Sequence, residues 1–426
     1  MHQVAHLPGG LTVVTAEMRH MASLSLGVWI GVGGRHEPAQ LNGVSHFIEH
    51  LFFKGTHKRT ARDISQAVEG IGGYLNAFTS EENTCVYSKA LAHRFDELLE
   101  VLLDMVLRSR FDPAEIDKER SVIKEELAMY MDQPQQRVQE LLNSIQWPDH
   151  PLGRPLTGTE KTLDGLTRAE LLGFQHANYT APAMLIVAAG NLDAKEVVRA
   201  IAKRARRFRP GKRPGFVPVD SQQASPIIRL SRKSVEQTQL ALGVRTCSRH
   251  DERRFALRLL NTILGENMSS RLFQLVREDH GLAYNIYSTL SFFDDTGDLV
   301  VSAGLETENL EKTLKLSLGE MNRLIHQPLG RGDLRRARDY VIGQIDLTLE
   351  NTESHMMWLG EQWLGYGRLS PAAEVKDRLA EVTTSEIRRA AADFFRPERL
   401  NLALVTPLKR EPGLAPLLKR AGRPGR

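Results

Sequence analysis

Leu24, Leu26, Val28, Ile30 and Val32 alternate with Ser25, Gly27, Trp29 and Gly31, the period of a strand with one buried face. A short helix follows: Gly43-Val44-Ser45 leads in, Leu51-Phe52-Phe53 continues an apolar face, and Lys54-Gly55-Thr56 supplies a stop. The pattern then predicts a helix over 60–70, strands over 75–78 and 84–89, and an amphipathic helix over 95–107. Asp112-Pro113 opens a long helix, with Asp as N-cap and Pro at the first position. Thr167 and Glu170 form a capping-box pattern for a helix running to Tyr179, followed by a buried strand over 184–189.

This last arrangement recurs 216 residues later (383 − 167): Thr383 matches Thr167, Glu386 matches Glu170, Phe395 matches Tyr179, and the apolar run at Leu400 matches that at Met184. The chain reads as a duplication. Strands clustered between runs of helices predict an α+β fold of two homologous halves, each a mainly antiparallel sheet packed with helices. The Pro/Gly-punctuated stretch from Arg209 to Pro218 marks the boundary. The expected division is 1–208, a linker over 209–226, a second half over 227–410 and a basic, disordered tail over 411–426.

A chain of 426 residues is long enough for two full cores. Hydrophobic content of 41% and charged content of 25% are ordinary for a soluble globular protein, and no apolar run is long enough to span a bilayer. The first ten residues lack the basic and apolar regions of a secretory signal, so the expectation is a cytoplasmic protein with no membrane role. A net charge of +4, with basic clusters only at 203–207 and 419–426, argues against a nucleic-acid partner. Cys85 and Cys247 are too few for a disulfide framework or a cysteine metal site and read as buried thiols.

The chemistry is concentrated in His46-Phe47-Ile48-Glu49-His50. At about 100° per residue, His46 and His50 lie roughly 40° apart on one helix face, close enough to share an ion. Imidazole suits zinc, and the adjacent Glu49 could take the proton that a bound water loses. The order H-x-x-E-H is the reverse of the commoner zincin order. A third ligand must come from another element. Glu119 and Glu126, seven residues apart on the helix opened by Asp112-Pro113, share a stripe with Ile123. By periodicity alone, Glu119, Glu125 and Glu126 fit a solvated helix face better, since charge-rich helices are common.

Taken together, H-x-x-E-H, Glu119-Arg-Ser-Val-Ile-Lys-Glu-Glu126 and the spacing of 76 (126 − 50) resemble the pitrilysin, or insulinase, family of zinc peptidases, in the branch of the mitochondrial processing peptidase and its bacterial relatives. The resemblance extends to Leu75-Asn-Ala-Phe-Thr-Ser80, His150-Pro-Leu-Gly-Arg154 and the stretch from Met268 to Tyr284. It implies one zinc per chain on His46, His50 and Glu126, with Glu119 behind them and Glu49 as the proton carrier, while Glu125 keeps its reading as an exposed residue. It further implies that Asn76, Ala77 and Phe78 pair with the substrate backbone by β-augmentation. Arg277 would grip a substrate carbonyl or carboxylate and Tyr284 would support the oxyanion. The Gly-rich lead-in usual before that segment is reduced to Gly265-Glu266-Asn267. The function so implied is a zinc metalloendopeptidase acting on peptides or unfolded polypeptides in a chamber formed by two halves. The partner expected is a second copy of the chain, or a metal-free paralogue. The alternative is a non-catalytic peptide-binding or assembly subunit of the same fold.

Overall fold

In the computed structural model, which describes residues 2–220 and 222–420, the alternating strand is closed on both faces rather than one. Leu24, Leu26, Val28 and Ile30 enter a core with Phe47, Leu102 and Ile123, as alternation predicts. Ser25 and Trp29, on the supposed solvent face, are equally buried, with Trp29 packed among Met356 and Leu359. The cause lies far along the chain. The helix Thr352–Tyr366 covers that face, with Ser25 Oγ 2.9 Å from Thr352 Oγ1 and the Trp29 indole N–H directed at Met356 Sδ at 3.4 Å.

The strand belongs to a six-stranded sheet of β1 (His2–His6), β2 (Thr12–Glu17), β3 (Ser23–Ile30), β4 (Tyr74–Thr79), β5 (Thr84–Leu91) and β6 (Met184–Gly190), in the order β1-β2-β6-β3-β5-β4. A second sheet contains β7 (Ile227–Arg232), β8 (Thr238–Thr246), β9 (Ala283–Phe292), β10 (Gly297–Leu305) and β11 (Leu400–Thr406), in the order β7-β11-β8-β10-β9. Strand for strand this repeats β2-β6-β3-β5-β4. Each sheet has a single parallel pair, β2/β6 and β7/β11, and the other pairs are antiparallel. Both predicted capping boxes form, Glu170 and Glu386 each accepting the N–H of their Thr at 2.7 Å.

The compact units depart from the expected linear division. Unit 1 takes Met1–Ala128, Arg154–Val217 and Asp346–Leu369; unit 2 takes Met129–Gly153, Pro218–Ile345 and Ser370–Arg426. The duplicated halves have exchanged an equivalent helix. Pro134–Gln146 and Thr352–Tyr366 start 218 residues apart (352 − 134), and each follows a long helix, Pro113–Asp132 and Arg331–Leu349, that also recurs at 218 (331 − 113). In unit 2, Pro134–Gln146 lays Val138, Leu142 and Ile145 on Ala241, Val300, Ala403 and Val405 of the second sheet. Each sheet has its second apolar face covered by a helix encoded in the other half, which alternation along a strand cannot reveal.

Two smaller differences follow from packing. The connection over 209–226 carries no helix or strand among its described residues, yet its first part is held in unit 1: the Arg35 guanidinium stacks 3.9 Å from the Phe216 ring centre and donates to the Val217 carbonyl. The tail, expected to be disordered from 411, forms the helix Ala415–Arg420, because Leu414 and Leu418 bury themselves in unit 2. Residues 421–426 of that tail lie outside the described residues. Both cysteines are buried and free, and no described helix is long and apolar enough to cross a membrane.

The exchanged helix meets β3 so closely that a methyl group is excluded. A Cβ at Gly360 would lie 2.2 Å from Trp29 Cε2. Gly to Ala normally favours a helix by about 1 kcal/mol. At this position Gly360→Ala is expected to destabilise instead, by about 1–3 kcal/mol through overpacking, read as a lowered urea midpoint; a raised midpoint would contradict the packing described.

Candidate metal centre

The motif segment folds as the helix Val44–Phe52, which buries Phe47, Ile48, Leu51 and Phe52 and leaves His46, Glu49 and His50 on the remaining side. His46 and His50 sit there with ring centres 4.6 Å apart. Glu126, on Pro113–Asp132, completes the group: its Oε2 is 3.8 Å from His46 Nε2 and 3.6 Å from His50 Nε2. One ligand atom from each of the three lies within 4.8 Å of the others, the only such group among the described residues. Ile116, Ile123 and Leu127 anchor the long helix in the core, which fixes Glu126 at the centre and leaves Glu125 exposed.

Glu119, one heptad before Glu126, is buried and 3.0 Å from His50 Nδ1. A carboxylate at that distance makes Nδ1 the protonated nitrogen, so the Nε2 lone pair faces the centre. Lys54 Nζ holds the other oxygen of Glu119 at 2.7 Å. In the sequence Lys54 is only part of a helix stop, and nothing in its spacing points to this pairing. Glu119→Gln is expected to weaken metal binding by about 10- to 100-fold, as loss of an outer hydrogen-bond partner does, in a competition with a chromogenic chelator; unchanged affinity would remove Glu119 from that role.

Burial, and then the neighbouring His50, push the His46 imidazole down to about 4, so it is neutral at neutral pH and able to ligate. Burial pushes the Glu49 carboxyl up, opposed by a hydrogen bond from the Thr79 hydroxyl to Oε2 at 2.6 Å. Thr79 is a second residue the sequence reading passed over. It ends β4, and the alternation that puts Leu75 and Ala77 against the core also carries Thr79 toward the motif helix. Of the three residues expected on the substrate strand, Ala77 shares this side. Asn76 and Phe78 face the other way, Phe78 edge-on to Trp29 at 5.6 Å. β4 is the edge of its sheet, and no described strand pairs with its outer side.

Arg277 and Tyr284 lie in unit 2 and are brought together there. The Arg277 guanidinium sits 4.7 Å from the Phe273 ring centre and 5.8 Å from that of Tyr284, whose side is open, the residue being 75% exposed. The stretch at Gly265-Glu266, read as a shortened loop, is the end of a helical segment: Glu266 receives both terminal nitrogens of Arg258 at 2.7 Å and the Thr262 hydroxyl at 2.6 Å. Unit 2 has no metal group among its described residues. Arg120 donates to the carbonyls of Leu163 and Leu166, and Arg338 makes the equivalent bond to Val382, which fixes the register of the two long helices at 218 (338 − 120). By that register, Gln344 stands where unit 1 has Glu126 (344 − 126 = 218).

Residues 12–160 match the family model described as Insulinase (Peptidase family M16), and residues 165–341 match the one described as Peptidase M16 inactive domain. An uncharacterized zinc protease of Mycobacterium leprae is 36% identical over 409 residues, spanning 94% of this chain and 91% of its own. The uncharacterized zinc protease YmxG of Bacillus subtilis is 36% identical over 403 residues, spanning 93% and 96%. The fold is shared with a crystal structure of a protease from Helicobacter pylori, at TM-score 0.89 and 20% identity, covering 96% of this chain and 99% of that one. The chain belongs to the M16, or insulinase, peptidase family.

Proposed function

We propose that this chain is a zinc metalloendopeptidase acting on peptides or unfolded polypeptides. The observation that carries the reading is the convergence of His46, His50 and Glu126 beside Glu49, next to the open edge of β4. Two imidazoles and one carboxylate suit zinc with a coordination position to spare. The relatives named zinc proteases support it. When bound, the ion would polarise the scissile carbonyl and acidify a water.

The remaining work falls to the protein's own groups. A peptide laid against β4 gains main-chain hydrogen bonds that do not depend on its sequence, so the strand selects extended, unfolded segments. Thr79 holds Glu49 Oε2 and leaves Oε1 to take the proton from the attacking water and hand it to the leaving amine. Arg277 and Tyr284 are assigned to carbonyl gripping and oxyanion support. The reading includes one zinc per chain, a cytoplasmic location and a homodimer. Metal analysis, cleavage of an unfolded quenched peptide and a solution-mass measurement on the purified chain test it. Zinc binding with peptide binding but no cleavage would favour the non-catalytic reading instead.

A further inference from the structure

The motif helix lacks the side-chain cap at its own start that several helices of the chain carry. The helices starting at Ala61, Arg168, Ala194, Thr352 and Thr384 are each capped by the side chain immediately before them: Thr60, Thr167, Asp193, Asn351 and Thr383. Val44–Phe52 instead follows Gly43, in the left-handed region at φ 93° and with no side chain to offer. A capping residue would not fit there: a Cβ would come within 2.8 Å of the Thr157 carbonyl oxygen and 2.9 Å of Gly158 Cα.

The amides at the start of the helix are served from outside, by Glu37. Its Oε2 accepts from the Gly43 N–H at 2.7 Å and from Asn42 Nδ2 at 3.1 Å, and its Oε1 accepts from the Ser45 N–H at 2.8 Å. Glu37 is buried and is itself held, its carbonyl accepting from Arg154 Nη1 at 3.1 Å while Asn42 Nδ2 also reaches the Pro155 carbonyl at 3.0 Å. Burial pushes the Glu37 carboxyl up, and the hydrogen bonds from the Ser45 and Gly43 amides and from Asn42 oppose this by favouring its charged form, which complements the helix dipole. More important is the grip. Two oxygens on two main-chain amides, two residues apart, fix both the depth of the helix and its rotation.

The histidines differ in how much they need this. His50 is oriented by Glu119. His46 Nδ1 is buried and has no hydrogen-bond partner among the described residues, so no carboxylate behind the ring orients it as Glu119 orients His50. His46 is the residue after Ser45, whose amide Glu37 holds.

We propose that Glu37 is a positioning residue for the metal centre: its carboxylate sets the depth and rotation of the motif helix so that His46 Nε2 meets His50 Nε2 and Glu126 Oε2. This rests on the metallopeptidase reading. The test compares Glu37→Gln with wild type in zinc affinity against a competing chelator, in kcat and KM on a quenched peptide, and in melting temperature. The Gln variant keeps the shape but turns an NH2 toward one of the two amides. Expected are a roughly 10-fold loss of zinc affinity and a similar loss of kcat at saturating zinc, with KM within about twofold, the scale of lost support behind a ligand. A lowered melting temperature with zinc affinity and kcat of the folded protein unchanged would overturn the proposal. If Glu37→Gln does not fold, Asn42→Ala, which removes one of three donors, is read the same way with a smaller expected loss. Failure of both to fold would also overturn it, since Glu37 would then serve the fold as a whole. A wild type that binds no zinc sinks the underlying reading, and is told apart because no variant is needed to see it.

Discussion

Glu49→Gln is expected to keep its zinc and lose hydrolysis by about 10²- to 10⁴-fold, the usual range for removal of a general base. At 1.36 kcal/mol per tenfold this is about 3–5 kcal/mol of transition-state stabilisation. Gln preserves the volume and can still accept the Thr79 hydroxyl hydrogen bond now made to Oε2, so the motif helix and β4 have no reason to move. Glu49 lies outside the trio that converges, and metal stoichiometry should remain at one. Steady-state turnover alongside metal analysis checks both halves of the expectation. Turnover at the wild-type rate would remove Glu49 from the chemistry; loss of zinc would make it a ligand.

Glu126→Gln should fail in the opposite way. It removes the carboxylate of the trio, leaving the two imidazoles, and zinc affinity is expected to fall by more than about 100-fold, beyond the range for outer partners. Hydrolysis should fall with occupancy and recover in part when zinc is added in excess. Added zinc should restore nothing to Glu49→Gln. The contrast separates a ligand from a proton carrier in one titration. Unit 2 has Gln344 at the equivalent position, and its helix Arg253–Asn261 carries no histidine pair. Full zinc stoichiometry in purified Glu126→Gln after chelator dialysis would contradict its place in the centre.

The parts of this centre were unequally legible in the sequence. His46 and His50 were readable from helical spacing, because both lie on one element and period alone sets their separation. Glu126 was not: a charged heptad on a long helix fits a solvated face as well, and the resemblance had to choose between them. Thr79, Lys54 and Glu37 were passed over for a common reason. Thr79 acts through Glu49, 30 residues away, Lys54 through Glu119, 65 away (119 − 54), and Glu37 through the amides at the start of the motif helix, and their types are ordinary for a strand end, a helix end and a loop. The fold shows the same division. Alternation located β3, but its second buried face depends on a helix whose Met356 lies 327 residues beyond Trp29. Duplication predicted two equivalent sheets, and it could not show that the halves trade the helices that cover them.

The central claim is that the three-residue centre is a zinc site that hydrolyses peptides. It is tested most directly by measuring zinc content and quenched-peptide turnover on the same sample as a chelator removes the metal and zinc is returned. One zinc per chain is expected at the start, with turnover falling in proportion to zinc lost and recovering on its return. Turnover that persists in the metal-free chain, or a chain that binds no zinc at all, would contradict it.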